Sequence, residues 1–161
     1  MSALTAEEKS QALEFFSNAQ KTLAKKLEEI DGQEKFSFNS WDHKEGGGGK
    51  IGLMRGNVVE KTGVNFSAVS GKSYPNIEKS YKDKPFFATG ISTITHMRNP
   101  HAPIGHMNVR MIDIGEKFWF GGGADLTPCF EYKEDTELFH ESLKQACDKF
   151  SQEAYNKYSK W

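Results

Sequence analysis

Between residues 92 and 125 the sequence gathers side chains that could bind an acid and move a proton. In Gly105 to Ile114, read as a strand, side chains alternate, so His106, Asn108 and Arg110 project from one face and Met107, Val109 and Met111 from the other. A titratable imidazole, an amide and a guanidinium in one row can hold a carboxylate by paired hydrogen bonds and exchange a proton beside it. An ordinary solvated sheet face would carry the same residue types. Ser92, His96 and His101 precede this row, so three of the chain's five histidines fall close together. His96 and His106 end adjacent predicted strands joined by Asn99-Pro100-His101-Ala102-Pro103, where they can approach one another as two ligands of a metal ion. Catalytic metal sites generally take three protein ligands. His140, on the last predicted helix, is the third candidate if that helix packs over the sheet, and otherwise a helix-surface histidine.

Gly121-Gly122-Gly123-Ala124-Asp125 follows the aromatic strand end Phe118-Trp119-Phe120. Three glycines allow a backbone to approach a large flat ligand, and Asp125 stands where it could accept hydrogen bonds from ligand N–H groups. A β-bulge for the glycines and a turn or helix cap for Asp125 account for the same residues. The run Gly46 to Gly49 is not a phosphate loop, because no Gly-Lys-Ser/Thr follows it and the next element reads as a strand rather than a helix N-terminus. Cys129 and Cys147 are isolated, without disulfide or metal-ligand spacing, and read as reduced thiols.

The elements that must position these residues fall into three stretches. Thr5-Ala6-Glu7-Glu8 is a capping box, and Leu13, Phe16, Leu23, Leu27 and Ile30 continue it as an amphipathic helix that Asp31-Gly32 should stop. From Phe36 to Ile114 the apolar period becomes two, with breaks at Gly46 to Gly49, Arg55-Gly56-Asn57, Gly71 and Asn99-Pro100. Strands are predicted at Phe36 to Trp41, Lys50 to Met54, Asn57 to Thr62, Val64 to Ser70, Phe86 to His96, Gly105 to Ile114 and Lys117 to Phe120, with a polar surface excursion from Tyr74 to Lys84. A second helix, capped by Asp135, should carry Leu138, Phe139, Leu143, Ala146, Phe150 and Tyr158 on one side and still be running at Trp161. The fold class is therefore α+β, an antiparallel β-sheet meander flanked by an N-terminal and a C-terminal helix.

Composition narrows the partners. With 21 Lys plus Arg against 22 Asp plus Glu in 161 residues, the net charge of −1 leaves no footprint for nucleic acid or an anionic membrane surface. No apolar run approaches the roughly 20 residues of a membrane span. The N-terminus has no basic leader or apolar stretch, which points to the cytoplasm.

Five blocks then carry a resemblance: Glu45 to Gly49; Glu60-Lys61-Thr62-Gly63-Val64-Asn65-Phe66-Ser67-Ala68-Val69; Arg98-Asn99-Pro100-His101-Ala102-Pro103; His106-Met107-Asn108-Val109-Arg110; and Trp119-Phe120-Gly121-Gly122-Gly123-Ala124-Asp125-Leu126-Thr127-Pro128. In this order they resemble the signature blocks of oxygen-dependent coproporphyrinogen III oxidase. The resemblance implies a haem-biosynthesis enzyme that converts coproporphyrinogen III to protoporphyrinogen IX, oxidatively decarboxylating two propionates to vinyl groups with O2 as co-substrate. It implies His106, Asp125 and Arg110 as catalytic residues, with Ser92, Asn108, Val109, Arg110, Gly122 and Gly123 on the substrate. Bacterial members are described with a divalent metal on histidines aligned with His96, His106 and His140, while others use neither metal nor organic cofactor. A homodimer is also implied. The family is about twice as long, so residues 1–161 correspond to one oxidase-like domain lacking the family's C-terminal half. The alternative is a non-catalytic homologue that binds a tetrapyrrole or a partner chain.

Overall fold

In the computed structural model, which describes residues 4–74 and 84–160, helix α1 (Ala6–Asp31) is followed by six strands and two helices. The strands are β1 (Ser37–Asp42), β2 (Gly47–Met54), β3 (Val59–Gly71), β4 (Phe86–Met97), β5 (Ile104–Asp113) and β6 (Phe118–Thr127). They form one antiparallel sheet in sequence order, and helices α2 (Lys133–Asp148) and α3 (Ala154–Tyr158) follow. The α+β meander expected from the change of period is present.

Helix α1 starts where its capping box predicts: the Thr5 side chain accepts from the Glu8 N–H, and the Glu8 carboxylate accepts from the Thr5 N–H at 2.8 Å. It ends at Gly32, which takes φ 80° and returns its N–H to the Glu28 carbonyl. The buried stripe is Phe16, Gln20, Ala24 and Asp31, and Ile30 is exposed. Two polar residues in that stripe dock the helix. Gln20 donates from Nε2 to the carbonyls of Lys50 and Val64, both at 2.8 Å. Asp31 accepts the N–H groups of Val59, Val58 and Glu34, which hold its carboxyl below the usual aspartate value against the opposing effect of its desolvation.

Alternation along the strands decides what α1 covers. Phe16 packs with Ile91 and Met111, flanked by Phe66, Phe87, Met107 and Val109, while Ala24 packs with Phe36, Met54, Val59 and Val64. These residues share one face of the sheet by register. Full burial of a side chain the size of Phe16 contributes about 1.5–3 kcal/mol.

Three boundaries differ from the sequence reading. One strand, β3, replaces the two expected on either side of Gly63; the irregularity lies between Val59 and Lys61, where an extra residue turns Val59 back to the covered face. Both glycine runs lie largely inside strands rather than ending them, Gly47 to Gly49 in β2 and Gly121 to Gly123 in β6. Gly47 has φ 82° and a Cβ there would meet the Ala68 carbonyl oxygen at 2.1 Å, so this run serves the close approach of neighbouring strands. The C-terminal helix is two helices, α2 and α3, and Tyr132 rather than Asp135 stands at the N-cap of α2, with no side-chain cap bond. Most of the Tyr74 to Lys84 excursion, residues 75–83, and Trp161 lie outside the described residues.

Candidate active site

The face of the sheet turned away from α1 carries the polar row. The register sets Gly63, Ile94, His106 and Asp125 side by side across β3 to β6, then Asn65, Ser92, Asn108 and Gly123, then Ser67, Gly90, Arg110 and Gly121. Directly opposed residues of an antiparallel pair present their side chains to the same face. Three strand spacings of about 4.8 Å and four residues of rise at about 3.3 Å make this a patch roughly 14 by 13 Å. Its relief is low, because Gly63, Gly90, Gly121 and Gly123 contribute no side chain.

Two contacts organise the row. His106 Nδ1 lies 2.9 Å from Asp125 Oδ2. A carboxylate only accepts, so Nδ1 carries the hydrogen and Nε2 is left as the nitrogen free to take or give a proton. Arg110 Nη2 donates to Asn108 Oδ1 at 2.9 Å, which holds one edge of the guanidinium and leaves its other N–H groups for an anion. His106 and Asp125 remain 36% and 59% exposed, so a bound molecule would reach both.

The sequence-predicted site residues do not all meet here. His106, Asp125, Arg110, Asn108, Ser92 and Gly123 share the open face. Val109 and Gly122 fall on the other one: Val109 packs beside the Phe16 cluster, and a Cβ on Gly122 would meet the Asn108 carbonyl oxygen at 2.3 Å. Only their main chain is left for a ligand on the open face. The expected role of Asp125 as acceptor of ligand N–H groups is shared, since one oxygen is engaged by His106.

The metal set is not brought together. His96 lies on the open face two residues along β4 from Ile94, the partner of His106, and is therefore a diagonal neighbour of His106. His140 sits elsewhere. Helix α2 lies on the α1 side of the sheet, where its Phe139 and Leu143 wall a groove of about 470 Å³ with Leu23 and Leu27 of α1 and Met107 of β5. His106 and Asp125 border this groove from the sheet, but alternation turns their side chains to the opposite face. His140 Nδ1 is 2.9 Å from the Tyr155 hydroxyl. Among the described residues, no three His, Cys, Asp or Glu side chains stand close enough to hold a metal ion. The residues present therefore do not fit the three-histidine site. His101, the remaining histidine of the 92–106 stretch, pairs through Nδ1 with the Tyr132 hydroxyl and stacks on Phe130 with ring centroids 4.6 Å apart, tying the β4–β5 connection to the segment after β6.

The sequence does not single out Asn65 as a site residue, whereas Gly121 is read there as part of the three-glycine run. Asn65 needed the β3–β4 register, which places it beside Ser92. Among the described residues its buried Oδ1 has no hydrogen-bond partner.

Comparison with known proteins adds to this geometry. The family model described as coproporphyrinogen III oxidase matches residues 11–161. The chain belongs to the coproporphyrinogen III oxidase family. A relative from Prochlorococcus marinus (strain MIT 9313), an oxygen-dependent coproporphyrinogen-III oxidase, is 42% identical over 158 residues, 95% of this chain and 45% of its own length. A protein of the same name from Rickettsia conorii (strain ATCC VR-613 / Malish 7) is 41% identical over 159 residues, 91% of this chain and 57% of its own. The chain thus spans about half the length of the curated relatives it matches. No helix among the described residues is long and apolar enough to cross a membrane.

Proposed function

We propose that the open face of the sheet takes the reduced tetrapyrrole coproporphyrinogen III and contributes to its oxygen-dependent conversion to protoporphyrinogen IX. The observation that carries this reading is the His106–Asp125 pair standing on the same face as Arg110 and Asn108, a low-relief face of macrocycle size. Such a substrate offers four carboxylates at its rim and pyrrole N–H donors at its centre. Arg110, anchored by Asn108, donates to one propionate. Asp125 accepts from pyrrole N–H through the oxygen that His106 leaves free, and His106 Nε2 takes or gives the proton that the reaction moves.

Each propionate that becomes a vinyl group releases CO2, and O2 accepts the two electrons together with two protons. The electron-rich pyrrole, once deprotonated, can react with O2 directly, so the protein's share is orientation and proton transfer. A divalent cation on His96 and His106 would need a third ligand other than His140, and no step above passes through one. A homodimer and a cytoplasmic location belong to the same proposal.

The test is incubation of the purified chain with coproporphyrinogen III in air, followed by vinyl-porphyrin fluorescence after oxidation. Turnover is expected, falling by about 10²–10⁴-fold in Asp125→Ala and His106→Ala, the range of a lost general acid–base group. Unchanged turnover in Asp125→Ala would overturn the assignment. A second reading, binding without turnover, is favoured by the exposure of Asp125, since a pair open to water stabilises charge less than an enclosed one. It is the outcome if the ring binds and no vinyl product forms.

A further inference from the structure

We propose that Gly121 and Gly123 are steric specificity determinants of this site, forming a shelf on β6 that admits the face of a tetrapyrrole macrocycle beside Arg110 and Asn108. The inference rests on the tetrapyrrole-binding reading above and deepens it.

The three consecutive glycines of β6 are glycines for different reasons. At Gly122 a Cβ would stand 2.3 Å from the Asn108 carbonyl oxygen and 3.1 Å from Val109 Cα, so the fold itself excludes a side chain there. At Gly121 and Gly123 a Cβ would meet nothing among the described residues within 4 Å. None of the three has a left-handed backbone, since the positive-φ glycines among the described residues are Gly32, Gly46, Gly47 and Gly115. Neither space nor backbone conformation therefore asks for glycine at 121 or 123. A glycine within a strand is disfavoured relative to residues with side chains, because it loses more conformational freedom on folding and has nothing to pack.

What these two positions share is their place. Gly121 is the register partner of Arg110 and Gly123 that of Asn108, and both turn their missing side chains to the face that carries the His106–Asp125 pair. Any side chain at 121 or 123 would rise into the space immediately beside the guanidinium and the amide. A ligand whose rim carboxylate is held by Arg110 must lay the adjoining ring over this part of β6. The site stands on its charged and polar groups, and the shelf sets which shapes can use them. Asn65 lies in the same row, in register with Ser92, itself the partner of Asn108.

The experiment uses the 161-residue chain, with coproporphyrin III, the planar oxidised ring, as the fluorescent probe, and compares Gly121→Ala, Gly123→Ala, Gly121→Val and Gly122→Ala. Gly121→Ala and Gly123→Ala should melt at or slightly above the temperature of the unaltered chain and bind the probe at least about tenfold more weakly, a loss of about 1.4 kcal/mol. Gly121→Val should bind more weakly still. Gly122→Ala should melt at a lower temperature. If the unaltered chain binds the ring and both alanine variants bind it within about twofold, the shelf is refuted while the binding reading stands. If Gly121→Ala loses as much thermal stability as Gly122→Ala, the free space inferred at 121 is absent and the shelf is again refuted. If the unaltered chain binds no porphyrin, the tetrapyrrole reading fails and the shelf with it.

Discussion

The two faces of the sheet are made by the same strands and differ by one residue of parity. On one, Val64, Ile91, Met107, Val109 and Met111 meet Phe16, Leu23 and Ala24 of α1 and exclude water. On the other, Asn65, Ser92, Asn108, Arg110, His106 and Asp125 stand in rows with glycines between them. The covered face is explained by transfer of apolar surface out of water. The open face has no such account: its polar groups bond to one another in pairs and its glycines at 121 and 123 answer to no packing need. Packing accounts for one face, and the polar rows and glycines of the other make up the candidate site.

The largest expected effect that would break this division is on the covered face. Phe16→Ala, at 1% exposure, should cost about 3–5 kcal/mol in urea unfolding. Gln20→Ala, which leaves the Lys50 and Val64 carbonyls without their donor, should cost about 1–3 kcal/mol. Tetrapyrrole binding by whatever fraction remains folded should be unchanged in both variants. A selective loss of binding from Gln20→Ala at full foldedness would show that the faces are not independent.

A smaller effect sharpens the comparison through pH. Asp31 is held below the ordinary aspartate value, chiefly by the N–H groups of Val59 and Val58, and Glu28 below the ordinary glutamate value, chiefly by the N–H of Phe36. A carboxyl depressed in the folded state contributes stability that is fully present above its unfolded pKa and lost as the pH falls through the folded one. The C-terminal end of α1 should therefore loosen progressively below about pH 4. Circular dichroism followed through acid titration should show this loss, with a shallower slope for Asp31→Asn. An identical slope in that variant would remove Asp31 as the cause.

Much of the fold and part of the site are legible from local pattern. The capping box at Thr5 and the stop at Gly32 are contained in a few adjacent residues, and strand alternation alone is enough to put His106, Asn108 and Arg110 on one face. What local pattern does not reach depends on contacts between distant residues. Asp31 reads as the end of a helix, yet its carboxylate gathers amides from the β2–β3 turn, 27 and 28 residues away. No local pattern singles out Gln20, but its amide bridges two strands. Val109 and Gly122 sit inside motif blocks beside residues of the open face, although alternation turns them to the other one. The place of His140 depends on which side of the sheet α2 packs, and no pattern within α2 fixes that side.

The central claim is that the open face binds a carboxylate-bearing tetrapyrrole through Arg110. Its most direct test is a fluorescence titration of the chain with coproporphyrin III, run in parallel for Arg110→Ala and for Lys26→Ala, an exposed residue of α1 on the other side. Loss of a charge-assisted contact of about 1.5–3 kcal/mol predicts binding about 10- to 150-fold weaker in Arg110→Ala, with no change in melting temperature and none in the affinity of Lys26→Ala. Equal affinities for the unaltered chain and Arg110→Ala, or no binding by the unaltered chain, would contradict the claim.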